Sequence, residues 1–139
     1  MTELRGPQDL PGGGEGPAAR ELAGDVCVVR AMYGALDQGD DGNLAGWADP
    51  GIGWVDPLSA VLPFDGLRRG WPSVLRSAFR RDPSGKGPRV SPETFLEFGD
   101  GVLVVGRFLW AGRKADEPFV HECFVRGGKV ALIREYRAL

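Results

Sequence analysis

From Tyr33 to Leu58 the chain reads YGALDQGDDGNLAGWADPGIGWVDPL. The stretch begins in one periodicity and ends in another. Val26, Val29, Met32, Tyr33 and Leu36 recur at helical spacing, and Gly39 follows as a C-terminal stop. Leu44 and Trp47, three apart, predict the apolar side of a short second helix begun near Asp40 or Asp41. After Pro50, GIGWVD alternates as a short strand that Pro57 ends. Helix, helix, strand and an Asp-Pro corner therefore follow one another without a linker.

Outward from this stretch the two sides differ in kind. Upstream, PGGGEGP has no apolar periodicity, and its glycines raise the entropy that ordering would cost, so residues 1–20 are expected to be a disordered tail and 21–139 the domain. Downstream, FDGLRRG reads as a turn. WPSVLRSAFRR carries a helical stripe of Val74, Leu75 and Phe79, which DPSGKGP interrupts. The remainder is rich in Val, Phe and Leu and is divided by GDG, AGRKAD and RGGK. This predicts an antiparallel meander of strands near 92–98, 101–111, 118–126 and 129–137. Helices first and a long sheet after make an α+β domain.

The chain has 139 residues, enough for one domain with one core. Its charge of −2 gives no electrostatic reason to expect nucleic acid or an anionic membrane as partner. Apolar runs such as GVLVVG are too short to span a bilayer, and the N-terminus lacks the apolar core of a secretory signal; the expectation is a cytoplasmic protein. Cys27 and Cys123 form no CxxC pattern and are expected to be two buried thiols. DPSGKG lacks both the glycine spacing and the following Ser/Thr of a phosphate-binding loop, so no nucleotide cofactor is expected.

Few residues remain to carry chemistry. Alternation puts Trp54 and Asp56 on one strand face and Val55 on the other. An acid beside an indole loses hydration and becomes a better base; an Asp before Pro that caps a turn instead has its pKa lowered by backbone N–H groups. Both readings stay open on residues alone. His121, the one histidine, shares a face with Phe119, Cys123 and Val125 in PFVHECFV. It is either a satisfied core residue or a neutral donor to a developing oxyanion, and a single histidine does not make a metal site. Tyr33 is either a core aromatic or a pocket wall with a working hydroxyl. Arg107, within VLVVGRFLWAG, is expected to pair with Glu122 or another acid on the convex face. Phe108 and Trp110 alternate against Leu109, one set being pocket wall and the other packing.

The order of these pieces resembles the SnoaL-like and ketosteroid-isomerase-like branch of the nuclear transport factor 2-like superfamily. The likeness runs from the quoted stretch through FDGLRRGWPSVLRSAF, GVLVVGRFLWAG and ECFVRGGKVALIREY, about residues 25–137. It implies a cone: a curved, mainly antiparallel sheet wrapped around N-terminal helices and enclosing a pocket, commonly as a homodimer. It also implies that Asp56 stands where the isomerases carry their catalytic base, an aspartate of mildly raised pKa beside an oxyanion hole. The strand position of their second acid falls at Val120 or His121, so that acid is missing here. Their helix-one tyrosine falls nearest Met32, one residue before Tyr33. Epoxide hydrolases of this fold carry Arg-x-Asp on the long strand, where this chain reads RFL.

The resemblance thus implies a cofactor-independent acid/base enzyme acting on a hydrophobic carbonyl compound as isomerase, cyclase or dehydratase. Asp56, His121 and Tyr33 would act on the substrate, with Trp54, Phe108, Trp110, Met32 and Cys123 around it, and no metal. A non-catalytic ligand-binding or dimerisation domain of the same fold is the alternative. The outer sheet face, with Val120 and Phe124, is the expected dimer contact.

Overall fold

The computed structural model describes residues 17–55, 67–112 and 115–136, with the side chains of the first helix from residue 24 onward. Two helices open the fold, α1 (Pro17–Gln38) and α2 (Asp41–Trp47). The strand β1 (Ala48–Val55), a short β2 (Leu67–Arg69) and α3 (Trp71–Ser77) follow. The chain then runs back and forth through β3 (Arg89–Phe98), β4 (Gly101–Leu109), β5 (Glu117–Arg126) and β6 (Lys129–Tyr136). Six strands form one sheet in the order β2-β1-β6-β5-β4-β3. β1 runs parallel to β6 and the other neighbours are antiparallel, so the sheet is mixed.

Local chemistry explains the boundaries. Gly39 has φ 68° and ends α1 in the left-handed region, where glycine is favoured. The Asp40 carboxylate then accepts from the Asn43 N–H at 3.0 Å and caps α2. The four-strand meander lies within three residues of every expected boundary. Two expectations are corrected. Leu67–Arg69, read as part of a turn, is a strand antiparallel to β1, because Gly53, Trp54 and Val55 offer it an unpaired edge. Cys27 is exposed on α1 and only Cys123 is buried.

The helix α1 lies across the concave sheet face. Val29, Met32, Tyr33 and Leu36 meet Val102, Val104 and Phe108 of β4, and Phe119 and Cys123 of β5, in one apolar core. Close approach decides one position: a Cβ on Gly106 would lie 2.5 Å from the Ser91 carbonyl oxygen and 2.8 Å from the Phe119 ring. Only glycine fits where β4 crosses the irregular pairing at Pro92–Thr94 of β3. Arg107 points outward as expected and pairs with Glu93 at 3.4 Å, both half exposed; Glu122 instead accepts from the Tyr136 hydroxyl at 2.7 Å. Among the described residues, no helix is long and apolar enough to cross a membrane.

Candidate active site

Strand register places the chemistry. His121 of β5 and Glu135 of β6 are direct cross-strand neighbours, and Cys123 faces Ile133 one pair further along. All four point into the core, where His121 and Glu135 are buried polar side chains among apolar ones. Trp54 of β1 is paired in register with Ile133, so its indole reaches the same end of β6 and donates Nε1–H to Glu135 Oε1 at 3.2 Å. From the helix side, the Tyr33 hydroxyl lies 2.7 Å from His121 Nδ1 and 3.6 Å from Cys123 Sγ. The result is a buried file from Tyr33 through His121 to Glu135.

Glu135 is anchored by Arg80, which follows α3 with φ 61°. A non-glycine residue in the left-handed region is strained, and here the strain turns the guanidinium inward. Nη1 and Nη2 donate to Glu135 Oε1 and Oε2 at 3.2 and 2.9 Å, while Nη1 also meets the Ser77 and Ala78 carbonyls at 2.9 Å. Its flat face lies 4.7 Å from the Phe108 ring centre. On the outer side Nε and Nη2 reach Glu117 Oε2 at 3.3 and 3.0 Å, and Glu117 Oε1 accepts from Trp110 Nε1 at 3.3 Å.

Protonation follows from these contacts. Burial works to raise the Glu135 pKa, but the His121 imidazole facing it and the two bonds from Arg80 outweigh it and hold the carboxyl well below its ordinary range, so it is ionised. Burial pushes His121 down, against the pull of Glu135, so the imidazole is neutral. Burial also drives Tyr33 well above its usual value, with Cys123 and Glu135 adding to it; the Cys123 thiol is itself pushed up to about 12 by burial. Tyr33 is therefore a protonated donor and Cys123 an inert thiol.

One histidine tautomer fits. Tyr33 O–H donates to Nδ1, which leaves the proton on Nε2, the nitrogen facing the Glu135 carboxylate. That separation is 3.6 Å, beyond hydrogen-bond length, and Nε2 has no hydrogen-bond partner although it is fully buried. The Nε2–H thus faces an ionised carboxylate that stands just beyond hydrogen-bond length.

Of the residues singled out in the sequence, the structure brings Tyr33, His121 and Cys123 together. It joins Trp54 to them through Glu135, and Trp110 through Glu117. The Phe108 ring lies 6.3 Å from His121, and Met32 is buried in the same core beside Tyr33. Asp56 lies outside the described residues, one position beyond the end of β1. Sequence reading missed Arg80, Glu117 and Glu135. Alternation did carry a signal for Glu135, which shares a face with the core residue Ile133. Nothing comparable marked Arg80, written as the end of a helical stripe.

Space is available at the acidic end of the file. A hollow of about 320 Å³ is lined by Arg80, Glu117, Pro118, Phe119, Val120, Glu135 and Tyr136. A second, of about 300 Å³, opens between α1 and β3 over Arg30, Tyr33, Gly34 and Phe95. Among the described residues, no group of three His, Cys, Asp or Glu side chains is gathered to hold a metal ion.

No protein-family model matches the chain, and no curated protein matches it. Solved structures do. TerC, co-crystallized with polyporic acid, is 22% identical with a TM-score of 0.60, over 83% of this chain and 92% of that one. Bal32a, from a soil-derived mobile gene cassette, is 20% identical with a TM-score of 0.63, over 84% and 90%. An NTF2-like protein from Burkholderia xenovorans LB400 is 28% identical with a TM-score of 0.55, over 82% and 88%. The chain has an NTF2-like fold. The cone of sheet around N-terminal helices implied by the resemblance is thus the architecture observed. The NTF2-like fold hosts several chemistries, so function rests on the residues of the site.

Proposed function

We propose that this protein is a cofactor-independent acid/base enzyme of the SnoaL-like, ketosteroid-isomerase-like kind, acting on a hydrophobic carbonyl compound as an isomerase, cyclase or dehydratase. The observation that carries the reading is the buried, unbonded Nε2 of His121, held by the Tyr33 hydroxyl on its other nitrogen. A desolvated N–H donor whose nearest acceptor, the Glu135 carboxylate, lies beyond hydrogen-bond length is costly in a merely structural core, and an enolate oxygen could engage it instead. The co-crystal of TerC with polyporic acid accords with a small organic molecule as the occupant.

In this reading the Asp56 carboxylate takes a proton from the carbon alpha to the carbonyl. The C–H electron pair becomes the enolate, and its charge settles on the oxygen facing His121 Nε2–H. Tyr33 keeps the tautomer, while Glu135 and Arg80 keep the imidazole in place. Protonated Asp56 returns its proton to a carbon in isomerisation, or to a departing or newly formed oxygen in the other outcomes. Trp54, Phe108, Trp110, Met32 and Cys123 supply the apolar surroundings. A panel of enolisable polycyclic ketones, assayed with wild type, Asp56→Asn and His121→Phe, tests this. Loss of the base should cost about 100-fold or more in kcat, and loss of the donor a comparable factor. Equal turnover by wild type and Asp56→Asn would remove Asp56 from the chemistry. Saturable binding of the ketones with no turnover by wild type would instead favour the binding-domain alternative.

The proposed partner on the convex face is a second copy of the chain. Val105, Val120 and Tyr136 are cross-strand neighbours there, with Leu96 and Phe98 exposed on the adjoining strand β3. Half-buried Phe124 belongs to the same face as Val120. Light scattering at micromolar concentration should give twice the 14.9 kDa chain mass. A monomer mass would overturn the dimer.

A further inference from the structure

The hollow over Arg80 has a feature that the acid/base file does not use. Arg80 carries two carboxylates of different standing: the Glu135 side chain is 1% exposed, whereas Glu117 is 35% exposed at the mouth. Arg80 and Glu135 already neutralise each other. Glu117 is the excess negative charge, and it is held poorly. Only its Oε2 meets the guanidinium, accepting from both Nε and Nη2, while Oε1 turns away to the Trp110 indole. The Nε/Nη2 edge of an arginine is a fork built for two parallel bonds to both oxygens of one carboxylate, and here one oxygen straddles it. The fork itself does not depend on Glu117. Phe108 beneath the guanidinium plane, the Ser77 and Ala78 carbonyls and Glu135 hold it from the other sides.

We propose that this hollow is a binding subsite for the carboxylate, or equally acidic enol, of an aromatic or alicyclic small molecule, with Glu117 as a displaceable stand-in for the ligand's anion. The incoming oxygens take the Nε/Nη2 fork in two parallel bonds, Glu117 swings to solvent, and the ligand's apolar body lies on Pro118 and Phe119. The exchange replaces one anion on the fork by another, and the Nε and Nη2 donors it offers can be accepted only by an oxygen-bearing anion. Glu117 is the first residue of β5 and the last to pair with β4, opposite Phe108, and its side chain is 35% exposed. The subsite stands on its own geometry. That the bound acid is also the enolisable substrate rests on the function proposed above.

Calorimetric titration with 4-tert-butylbenzoate tests the subsite without any turnover. Glu117→Gln removes the competing charge at a partly exposed position, so it should bind the benzoate at least about tenfold more tightly than wild type, in line with the strength of bidentate charge-assisted bonds. The Trp110 indole N–H resonance should shift on binding to wild type, as its acceptor leaves. The neutral 4-tert-butylbenzyl alcohol should bind neither protein measurably. Equal benzoate affinities for the two proteins, or no benzoate binding to Glu117→Gln, would overturn the proposal. Preferential binding of 4-tert-butylbenzylamine would overturn it in favour of a cation site. Because binding and turnover are separate readouts, failure here leaves the ketone assay to be judged independently, and the reverse also holds.

Discussion

Arg80→Met is expected to destabilise the protein by about 3–5 kcal/mol, the range found when one partner of a buried ion pair is removed. Glu135, buried and ionised, would lose the guanidinium that meets both its oxygens. Lost with it are the bonds to the Ser77 and Ala78 carbonyls at the end of α3 and the contact with the Phe108 ring. Methionine replaces the aliphatic stem but none of the charge. The variant Arg80→Met/Glu135→Leu should regain much of that loss, since a buried pair removed as a whole leaves no uncompensated charge. Urea denaturation of both variants is the measurement. A single-variant loss below about 1 kcal/mol would show that the pair is solvated and worth no more than a surface bridge.

Acid should weaken the fold in two stages, the first of them through His121. Its folded pKa lies below the ordinary 6.5 because of burial, so the unfolded chain takes up the proton first. Stability is then full above 6.5 and declines as pH falls from that value towards the folded pKa. Glu135 adds to this lower down. Burial raises its pKa, but His121 and Arg80 together depress it below 4.5, so its contribution is present above 4.5 and is lost as pH falls further. His121→Gln carries no titrating ring and should flatten the decline between 6.5 and 4.5 while leaving the lower stage. Denaturation midpoints collected at pH 7.5, 6.0 and 5.0 distinguish the two proteins. Parallel profiles would mean that His121 titrates normally and is not sealed in the core.

Much of the fold was legible because it is written in local periodicities. Gly39 and Asp40 punctuate the two helices chemically, and GDG and RGGK punctuate the strands. Alternation alone faced Phe119, His121 and Cys123 inward, as they are in the structure. It failed at Leu67–Arg69, because three residues carry too little pattern and their strand exists only through pairing with β1. Arg107 pairs with an acid on the convex face as expected, and the fold decided which: Ser91 lies opposite Arg107, and the pairing shift at Pro92–Thr94 sets where Glu93 stands.

By itself, then, the sequence determined the α+β class, the order of elements and which residues share a face of β5, since these follow from spacing along one chain. It also marked His121 and Tyr33 as polar groups bound for an apolar interior. Which polar groups would meet there was decided by tertiary structure. His121 faces Glu135 through the β5–β6 register, Trp54 reaches Glu135 through a parallel pairing of distant strands, and Arg80 arrives from beyond a helix by a strained backbone turn. Long-range register and a single left-handed residue leave no periodic trace in the letters. The charge that neutralises the buried carboxylate, and the half-used fork beside it, became visible only when the chain was folded.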